Sequence, residues 1–243
     1  MKTRISWIFY CLVSFMLLPS LSAAERFVTN ESNGFTWIQQ GKAYPILVDL
    51  QEDKGVLRAV ANLQTDAGKV TGATPEIIHS PSGNRMLIIG SVENSSWIKQ
   101  LMQAGKIPAA DLKGKREKYI LQTVKQPVEG VEEAIVIAGS DKRGTIYGIY
   151  ELSRQMGVSP WYFWADVPVE KHDIISIKEG VYTDGEPAVK YRGIFLNDEW
   201  PSLGGWASAT FGGFNSKFYD VRTGASPQRK FYVACHVEQC FLR

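Results

Sequence analysis

Apolar positions recur along this chain in two different periods. Short apolar or alternating runs, which are typical of β-strands, cover residues 35–38, 46–50, 86–89, 119–124 and 134–138. Apolar residues at helical spacing lie between several of these runs, behind candidate caps at Asp53 and at Ser95 or Ser96. Strands that alternate with helices predict a layered α/β domain with a mainly parallel or mixed sheet, which we place at residues 25–178.

The clearest predicted helix starts after Ser140 and ends at Gly157. Gly144 and Gly148 lie one turn apart in it, which would allow the helix to approach a sheet closely. Gly157 can take the left-handed conformation that ends many helices. The two glycines therefore predict a close contact between this helix and a sheet.

The amino end has the order of a secretory signal: Lys2 and Arg4, an apolar run over residues 5–21, then small residues up to Ala24. A membrane anchor is the alternative, since about 18 apolar residues can begin to span a bilayer. Pro19 and the small residues favour cleavage. We therefore predict a signal peptide at residues 1–24, export to the periplasm or outside the cell, and no membrane attachment after cleavage.

Composition excludes several classes of partner and of stabilisation. Charge is nearly balanced, with 27 Lys and Arg against 25 Asp and Glu, so there is no electrostatic case for binding nucleic acid or an anionic membrane. Of the three cysteines, Cys11 lies in the signal, while Cys235 and Cys240 lie at the carboxyl end. No disulfide framework can hold the body of the chain together, so the fold must depend on its apolar core.

The most informative candidate site follows a second apolar strand. Residues 179–188 are polar and rich in glycine, as expected of a linker, and the strand predicted at 189–196 ends in Asn197, Asp198 and Glu199. At the carboxyl end of a (β/α)8 barrel strand, such side chains face substrate. Glycosidases need a pair of carboxyl groups for acid and base roles. The alternative is that these acids begin a solvated loop or cap a helix.

Other candidates have weaker support. The aromatic run at residues 161–164 could stack on sugar rings, although packing against a neighbouring domain is the commoner use of such a run. His79 and His172 have no partner at metal-ligand spacing, and we interpret both as surface or loop residues. Cys235, His236 and Cys240 lack a fourth ligand, so no metal site is predicted there.

The second half of the chain resembles glycoside hydrolase family 115, the α-glucuronidases that remove (4-O-methyl)glucuronic acid from xylan. Five segments carry the resemblance, in order: residues 140–145 (SDKRGT), 147–152 (YGIYEL), 160–168 (PWYFWADVP), 191–199 (YRGIFLNDE) and 211–219 (FGGFNSKFY). The first half is consistent with that family's amino-terminal α/β domain.

The resemblance implies a (β/α)8 barrel after the α/β domain, starting at residues 189–220, and inverting hydrolysis with no metal or organic cofactor. It implies a catalytic role for Asp198 and substrate contacts for Asn197 and Glu199, with glucuronoxylan or its oligosaccharides as the partner. The second catalytic carboxyl group would lie further along the barrel, and the resemblance says nothing of the oligomeric state.

The resemblance stops at about Tyr219. With suitable codons for residues 221–243, translation shifted by one base gives YELVLRLKGNFMWPAMWSNAF, which resembles the family's next helix and its following segment. We therefore expect a frameshift there, with an out-of-frame tail at residues 221–243.

A barrel needs about 250 residues, and 53 residues follow Lys190, so we expect an incomplete barrel and an inactive chain. The alternatives are a non-catalytic carbohydrate-binding or docking module and an inert fragment.

Overall fold

The computed structural model describes residues 26–160, 162, 166–192, 203–213 and 215–217. The strands in this part are β1 (Val28–Thr29), β2 (Phe35–Gln39), β3 (Lys42–Ala43), β4 (Ile46–Val48), β5 (Ile77–Ile78), β6 (Arg85–Ser91), β7 (Tyr119–Lys125), β8 (Glu133–Gly139), β9 (Ile174–Ile177) and β10 (Val181–Tyr182). The helices are α1 (Lys54–Thr71), α2 (Ser96–Gln103), a 3₁₀ turn (Ala109–Asp111), α3 (Lys142–Gln155) and α4 (Leu203–Phe211).

A six-stranded mixed sheet forms the centre of the domain, in the order β10-β7-β8-β6-β4-β5. Strands β5, β4, β6 and β8 run parallel, whereas β7 is antiparallel to β8, and β10 is antiparallel to β7. A second, antiparallel sheet has the order β1-β9-β2-β3. The predicted α/β class with a mixed sheet is confirmed.

Alternation along the buried strands divides the core into two layers. Leu87 and Ile89 of β6 face the layer that contains α1, α3 and the small sheet. Met86 and Ile88, the intervening residues, face the layer that contains α2. Both faces of the central sheet are therefore covered, which explains why its strands are continuous apolar runs.

The helix starts follow the predicted caps. Asp53 accepts a hydrogen bond from Gly55 N (2.8 Å) at α1, and Ser95, one of the two predicted candidates, accepts from Ile98 N (3.3 Å) at α2. Asp141 accepts from Gly144 N (2.8 Å) at α3. Helices α1, α2 and α3 follow β4, β6 and β8, so all of them begin at the same edge of the sheet, called here the carboxyl edge.

The glycines of α3 do allow the close approach that their spacing predicts. A Cβ atom on Gly144 would lie 2.2 Å from the carbonyl oxygen of Lys118, and one on Gly148 would lie 2.8 Å from Cγ2 of Ile137. Neither position has room for a larger side chain. The first turns of α3 thus lie directly against the start of β7 and against β8.

Several elements depart from the sequence-based expectations. Val181 and Tyr182, inside the predicted linker, pair with Gln122 and Leu121 of β7, so part of that linker belongs to the central sheet. Helix α4 lies in the segment predicted to begin the barrel, although no helix was predicted there. Residues 193–196 of the predicted strand at 189–196 lie outside the described residues. The predicted signal at 1–24 and the predicted tail at 221–243 also lie outside them. Within the described ranges no helix has the length and apolar character needed to cross a membrane.

Candidate functional site

The predicted site tripeptide, Asn197, Asp198 and Glu199, lies outside the described residues. The described chain that leads towards it ends at Arg192, and this residue contacts the α/β domain at the carboxyl edge. The geometry around Arg192 is therefore the part of the candidate site that the structure places. It consists of a buried carboxylate, two guanidinium groups and a phenol.

Glu117, in the loop before β7, is the centre of this cluster. Its Oε2 accepts hydrogen bonds from Nη2 of Arg192 and from the hydroxyl of Tyr147 (3.3 Å), while Oε1 accepts from Nη1 of Arg143 (3.1 Å). Nη2 of Arg192 also lies 3.1 Å from the Tyr147 hydroxyl oxygen. The Glu117 side chain is 2% exposed and that of Arg192 is 11% exposed. Both carboxylate oxygens are thus occupied away from water.

Burial and charge act together on the partners of Glu117. Burial raises the pKa of Tyr147 to about 12, and the Glu117 charge adds to that increase, so this phenol stays protonated and can donate. Burial alone would lower the pKa of Arg192, but its hydrogen bonds to Glu117 and Tyr147 outweigh that effect and raise it. The Tyr147 phenol and the Arg192 guanidinium therefore both keep their protons at neutral pH and can donate hydrogen bonds within the cluster.

Helix α3 and the left-handed backbone at Glu117 position the cluster. Arg143 and Tyr147 lie one turn apart on α3, whose Asp141 cap also accepts from Glu117 N through Oδ2 (2.8 Å). Glu117 has φ of 53°, a conformation that costs energy for a residue with a side chain. The tight contact at Gly144 brings the start of α3 to this loop.

A second buried carboxylate, Glu52, lies after β4 at the same edge. Its oxygens accept hydrogen bonds from the backbone N–H of Ser91 and from the Ser91 hydroxyl (3.0 and 3.1 Å), at the end of β6. Burial raises its pKa, against the lowering effect of these bonds. Glu52 therefore joins the loops that follow two neighbouring parallel strands.

Neither buried carboxylate has the environment of a hydrolytic acid or base. A glycosidase carboxyl group must reach the glycosidic oxygen or a water molecule beside the sugar. Glu117 and Glu52 are 3% and 5% exposed, and their oxygens are taken up by protein donors. Both residues hold the carboxyl edge together, and the catalytic prediction remains with Asp198.

Sequence reasoning missed both of these carboxylates. Glu117 lies in the run Lys115-Arg116-Glu117-Lys118, which has the composition of a solvated turn. Its partners come from α3 and from the segment after β10, far away in sequence, so no local pattern could have revealed them. For Glu52, the one available signal was its place between a buried strand and a helix cap.

The remaining candidates have structural roles where the structure describes them. His79 is exposed and its Nδ1 lies 2.9 Å from the carbonyl oxygen of Val48, while His172 Nε2 lies 3.5 Å from a Glu170 carboxylate oxygen. The described residues contain no group of three or more His, Cys, Asp or Glu side chains that could hold a metal ion. Cys235, His236 and Cys240 lie outside the described part.

One residue of the aromatic run is described. Tyr162 is 39% exposed, and the ammonium group of Lys69 lies 4.6 Å from its ring centroid. That contact occupies the ring with a cation from α1. Trp161, Phe163 and Trp164 lie outside the described residues, so their predicted packing or stacking role stays a prediction.

Two family models match the chain, in adjacent regions. The model of the glycosyl hydrolase family 67 N-terminus matches residues 38–152, and that of glycosyl hydrolase family 115 matches residues 184–223. The second match encloses the predicted site tripeptide. No curated protein matches the chain.

Solved structures give a consistent result. BtGH115A, a family GH115 4-O-methyl-alpha-glucuronidase with specificity for decorated arabinogalactans, is 31% identical, with a TM-score of 0.65 over 81% of this chain and 25% of that one. A GH20 β-N-acetylhexosaminidase from Streptomyces coelicolor A3(2) is 15% identical, with a TM-score of 0.42 over 72% of this chain and 28% of that one. CpGH84B is 20% identical, with a TM-score of 0.40 over 74% and 25% of the two chains. The last two scores are too low to carry weight.

The chain is thus related to the glycoside hydrolases of families 115 and 67. It is of the glycoside hydrolase family 115 type, and it corresponds to an amino-terminal portion of such a protein. It spans about a quarter of the length of the solved family 115 enzyme that it matches.

Proposed function

We propose that this chain is the amino-terminal part of an exported enzyme that removes (4-O-methyl)glucuronic acid from a polysaccharide by inverting hydrolysis. The observation that carries the proposal is the family 115 match over residues 184–223, which includes Asn197, Asp198 and Glu199. The signal-like residues 1–24 are the basis for export. Asp198 acts as one of the two carboxyl groups, and Asn197 and Glu199 contact the substrate.

Inversion requires two carboxyl groups about 6.5–9.5 Å apart. One protonates the leaving oxygen, and the other takes a proton from the water that attacks the opposite face of the sugar. Asp198 supplies one of these groups, and its partner belongs to a later barrel strand. The 243-residue chain alone is therefore proposed to be inactive, since it spans a quarter of the matched enzyme.

The proposed substrate is a polysaccharide decorated with (4-O-methyl)glucuronic acid. Glucuronoxylan is the substrate that the family resemblance implies, whereas the matched solved enzyme is described as specific for decorated arabinogalactans. The proposed reaction on either polymer is release of (4-O-methyl)glucuronic acid, which the same catalytic group would carry out. The comparison between them forms part of the test.

The experiment compares the 243-residue chain with the product of the frame-restored gene, after resequencing across codons 219–223. Released (4-O-methyl)glucuronic acid is measured on glucuronoxylan and on decorated arabinogalactan, with proton NMR of the first-formed anomer. We expect release and inversion by the longer product, and none by its Asp198→Asn variant or by the short chain. Hydrolysis by the short chain, or full activity of the Asp198→Asn variant, would refute the proposal.

Xylan binding by the same preparation of the 243-residue chain distinguishes the carbohydrate-binding alternative from the glucuronidase proposal. Binding of the short chain to xylan that disappears in a Trp161→Ala, Trp164→Ala double variant would favour a binding module. Absence of binding is the outcome that the glucuronidase proposal expects.

A further inference from the structure

The segment after β10 is fastened along the carboxyl edge of the sheet. Glu186 Oε1 accepts a hydrogen bond from Arg116 N (2.8 Å), and Lys115 Nζ lies 3.5 Å from Glu186 Oε2. Arg116 Nη2 donates to the carbonyl oxygen of Pro187 (2.7 Å). These contacts run beside the loop that carries Glu117, so the chain reaches Arg192 already held against the domain.

Arg192 makes the most deeply buried of these attachments. Its guanidinium donates hydrogen bonds to Glu117, to the carbonyl oxygen of Val189 and to the Tyr147 hydroxyl oxygen (3.1 Å). Glu117 needs no second guanidinium for its own neutralisation, because Arg143 from α3 already pairs with it. Arg192 is thus an additional partner of Glu117. Arg192 lies in the region that the family 115 model matches, and Glu117 lies in the region that the family 67 model matches.

Two further features mark Glu117 as a prepared acceptor. Its backbone is left-handed, with φ of 53°, a conformation that costs energy. Two hydrogen bonds stabilise this conformation: Glu117 N donates to the Asp141 carboxylate, and Lys118 N donates to the Ser140 hydroxyl oxygen (3.0 Å). Its second oxygen is directed at Arg192 across a sequence separation of 75 residues. The fold of the α/β domain needs only one cation to neutralise this buried carboxylate, yet Glu117 has a strained backbone and two guanidinium partners.

We propose that Glu117 and Arg192 form a positioning lock that fixes the α/β domain against the start of the predicted catalytic strand. Arg192 precedes Asp198 by six residues, so the Asp198 Cα atom lies within about 20 Å of the Arg192 Cα atom, and the lock holds Arg192 at Glu117. Arg192 and Glu117 are positioning residues, and neither touches substrate. The link to catalysis rests on the proposed function, whereas the fastening of the segment does not.

The first test uses hydrogen–deuterium exchange of the 243-residue chain. In Arg192→Gln, Glu117 keeps Arg143 and Tyr147, so the domain should remain folded and the strands β6 to β8 should exchange as in the wild type. Amides of residues 181–192, which include strand β10 paired with β7, should exchange about tenfold faster. Arg192→Lys should restore part of the protection. Lys190→Gln is the matched control, because it removes a cation of the same segment that lies over the exposed Tyr191 ring, and it should change nothing.

The second test uses the frame-restored product and compares the same variants. We expect Arg192→Gln to lower kcat by roughly 10- to 100-fold with a smaller change in KM, because the catalytic carboxyl group is misplaced. Amides of residues 193–199 should exchange faster in this variant. That readout applies even if the wild-type product releases no sugar, an outcome that would refute the proposed function alone.

Two results would overturn the lock. Exchange of residues 181–192 at the wild-type rate in Arg192→Gln would show that the ion pair fastens nothing. Loss of protection in β6 to β8 to the same extent as in residues 181–192 would make the pair an ordinary part of the domain core. Unchanged exchange of residues 193–199 would overturn the positioning role.

Discussion

Replacement of Gly144 by alanine tests how closely α3 must approach the sheet to build the Glu117 cluster. The added Cβ would lie 2.2 Å from the Lys118 carbonyl oxygen and 2.9 Å from its carbon. These are backbone atoms, and the same carbonyl accepts a hydrogen bond from Ser140 N (2.8 Å). The clash can therefore be relieved only by moving α3 or the strand start by about 1 Å.

The expected cost follows from two opposing effects. Overpacking of this kind costs about 3 kcal/mol, while alanine in place of glycine in a helix gains about 1 kcal/mol. The net loss is about 2 kcal/mol in the free energy of unfolding. For a domain of this size, that loss corresponds to a decrease in Tm of about 4–8 °C.

Gly68 of α1 offers a matched control. A Cβ there would meet Thr74 Oγ1 at 3.1 Å, and Thr74 is an exposed side chain that can rotate away. Gly68→Ala should therefore keep the helix-propensity gain and raise stability by about 0.5–1 kcal/mol. Urea unfolding followed by circular dichroism measures both variants. Equal stability of Gly144→Ala and the wild type, or an equal loss in both variants, would refute the close-contact reasoning.

Two other variants test the buried carboxylates. Glu52→Ala should lower the free energy of unfolding by about 2–3 kcal/mol, because the buried Ser91 donors lose their acceptor. Glu93→Ala, at an exposed site, should leave it unchanged in the same urea unfolding experiment. Burial raises the pKa of Asp66 although Lys69 lies 3.8 Å away. The folded state therefore binds the Asp66 proton more tightly than the unfolded state does. The free energy of unfolding then falls as the pH rises from the ordinary pKa to the folded pKa. Asp66→Asn should thus be stabilised relative to the wild type more at about pH 7 than at about pH 3.5; a constant difference between the two proteins would contradict this.

The apolar runs predicted the central strands because these are buried on both faces. Residues 46–50, 86–89, 119–124 and 134–138 all fall on strands of the six-stranded sheet, with boundaries that differ by a few residues. The caps at Asp53 and Ser95 were likewise local signals, since a side-chain oxygen and a nearby backbone N–H suffice to form them.

Pairing between distant segments was beyond local patterns. Residues 35–38 do form a strand, but they pair with β9, near residue 175, in a separate sheet. Strand β9 is a four-residue run that gains its stability from two partners, β1 and β2. The edge strand β10 covers two residues within a stretch whose polar composition indicated a linker.

The candidate site likewise contains residues that the sequence identified and residues whose role depends on contacts between distant segments. Asn197 to Glu199 were identified from their place after an apolar strand and from the family resemblance, both of which are visible in the sequence. Glu117 was not, because its importance depends on Arg143, Tyr147 and Arg192 meeting at one carboxylate. A charged residue in a loop acquires a buried role only after the chain has folded around it.

We propose that residues 193–199 carry a catalytic carboxyl group of a family 115 α-glucuronidase and that the Arg192–Glu117 pair fastens this segment to the α/β domain. A crystal structure of the frame-restored product with bound glucuronic acid tests it most directly. We expect Asp198 to lie at the carboxyl end of a barrel strand and to face the sugar, with Arg192 paired with Glu117. A strand at 193–196 that pairs within the α/β sheet, with Asp198 remote from the sugar, would contradict it.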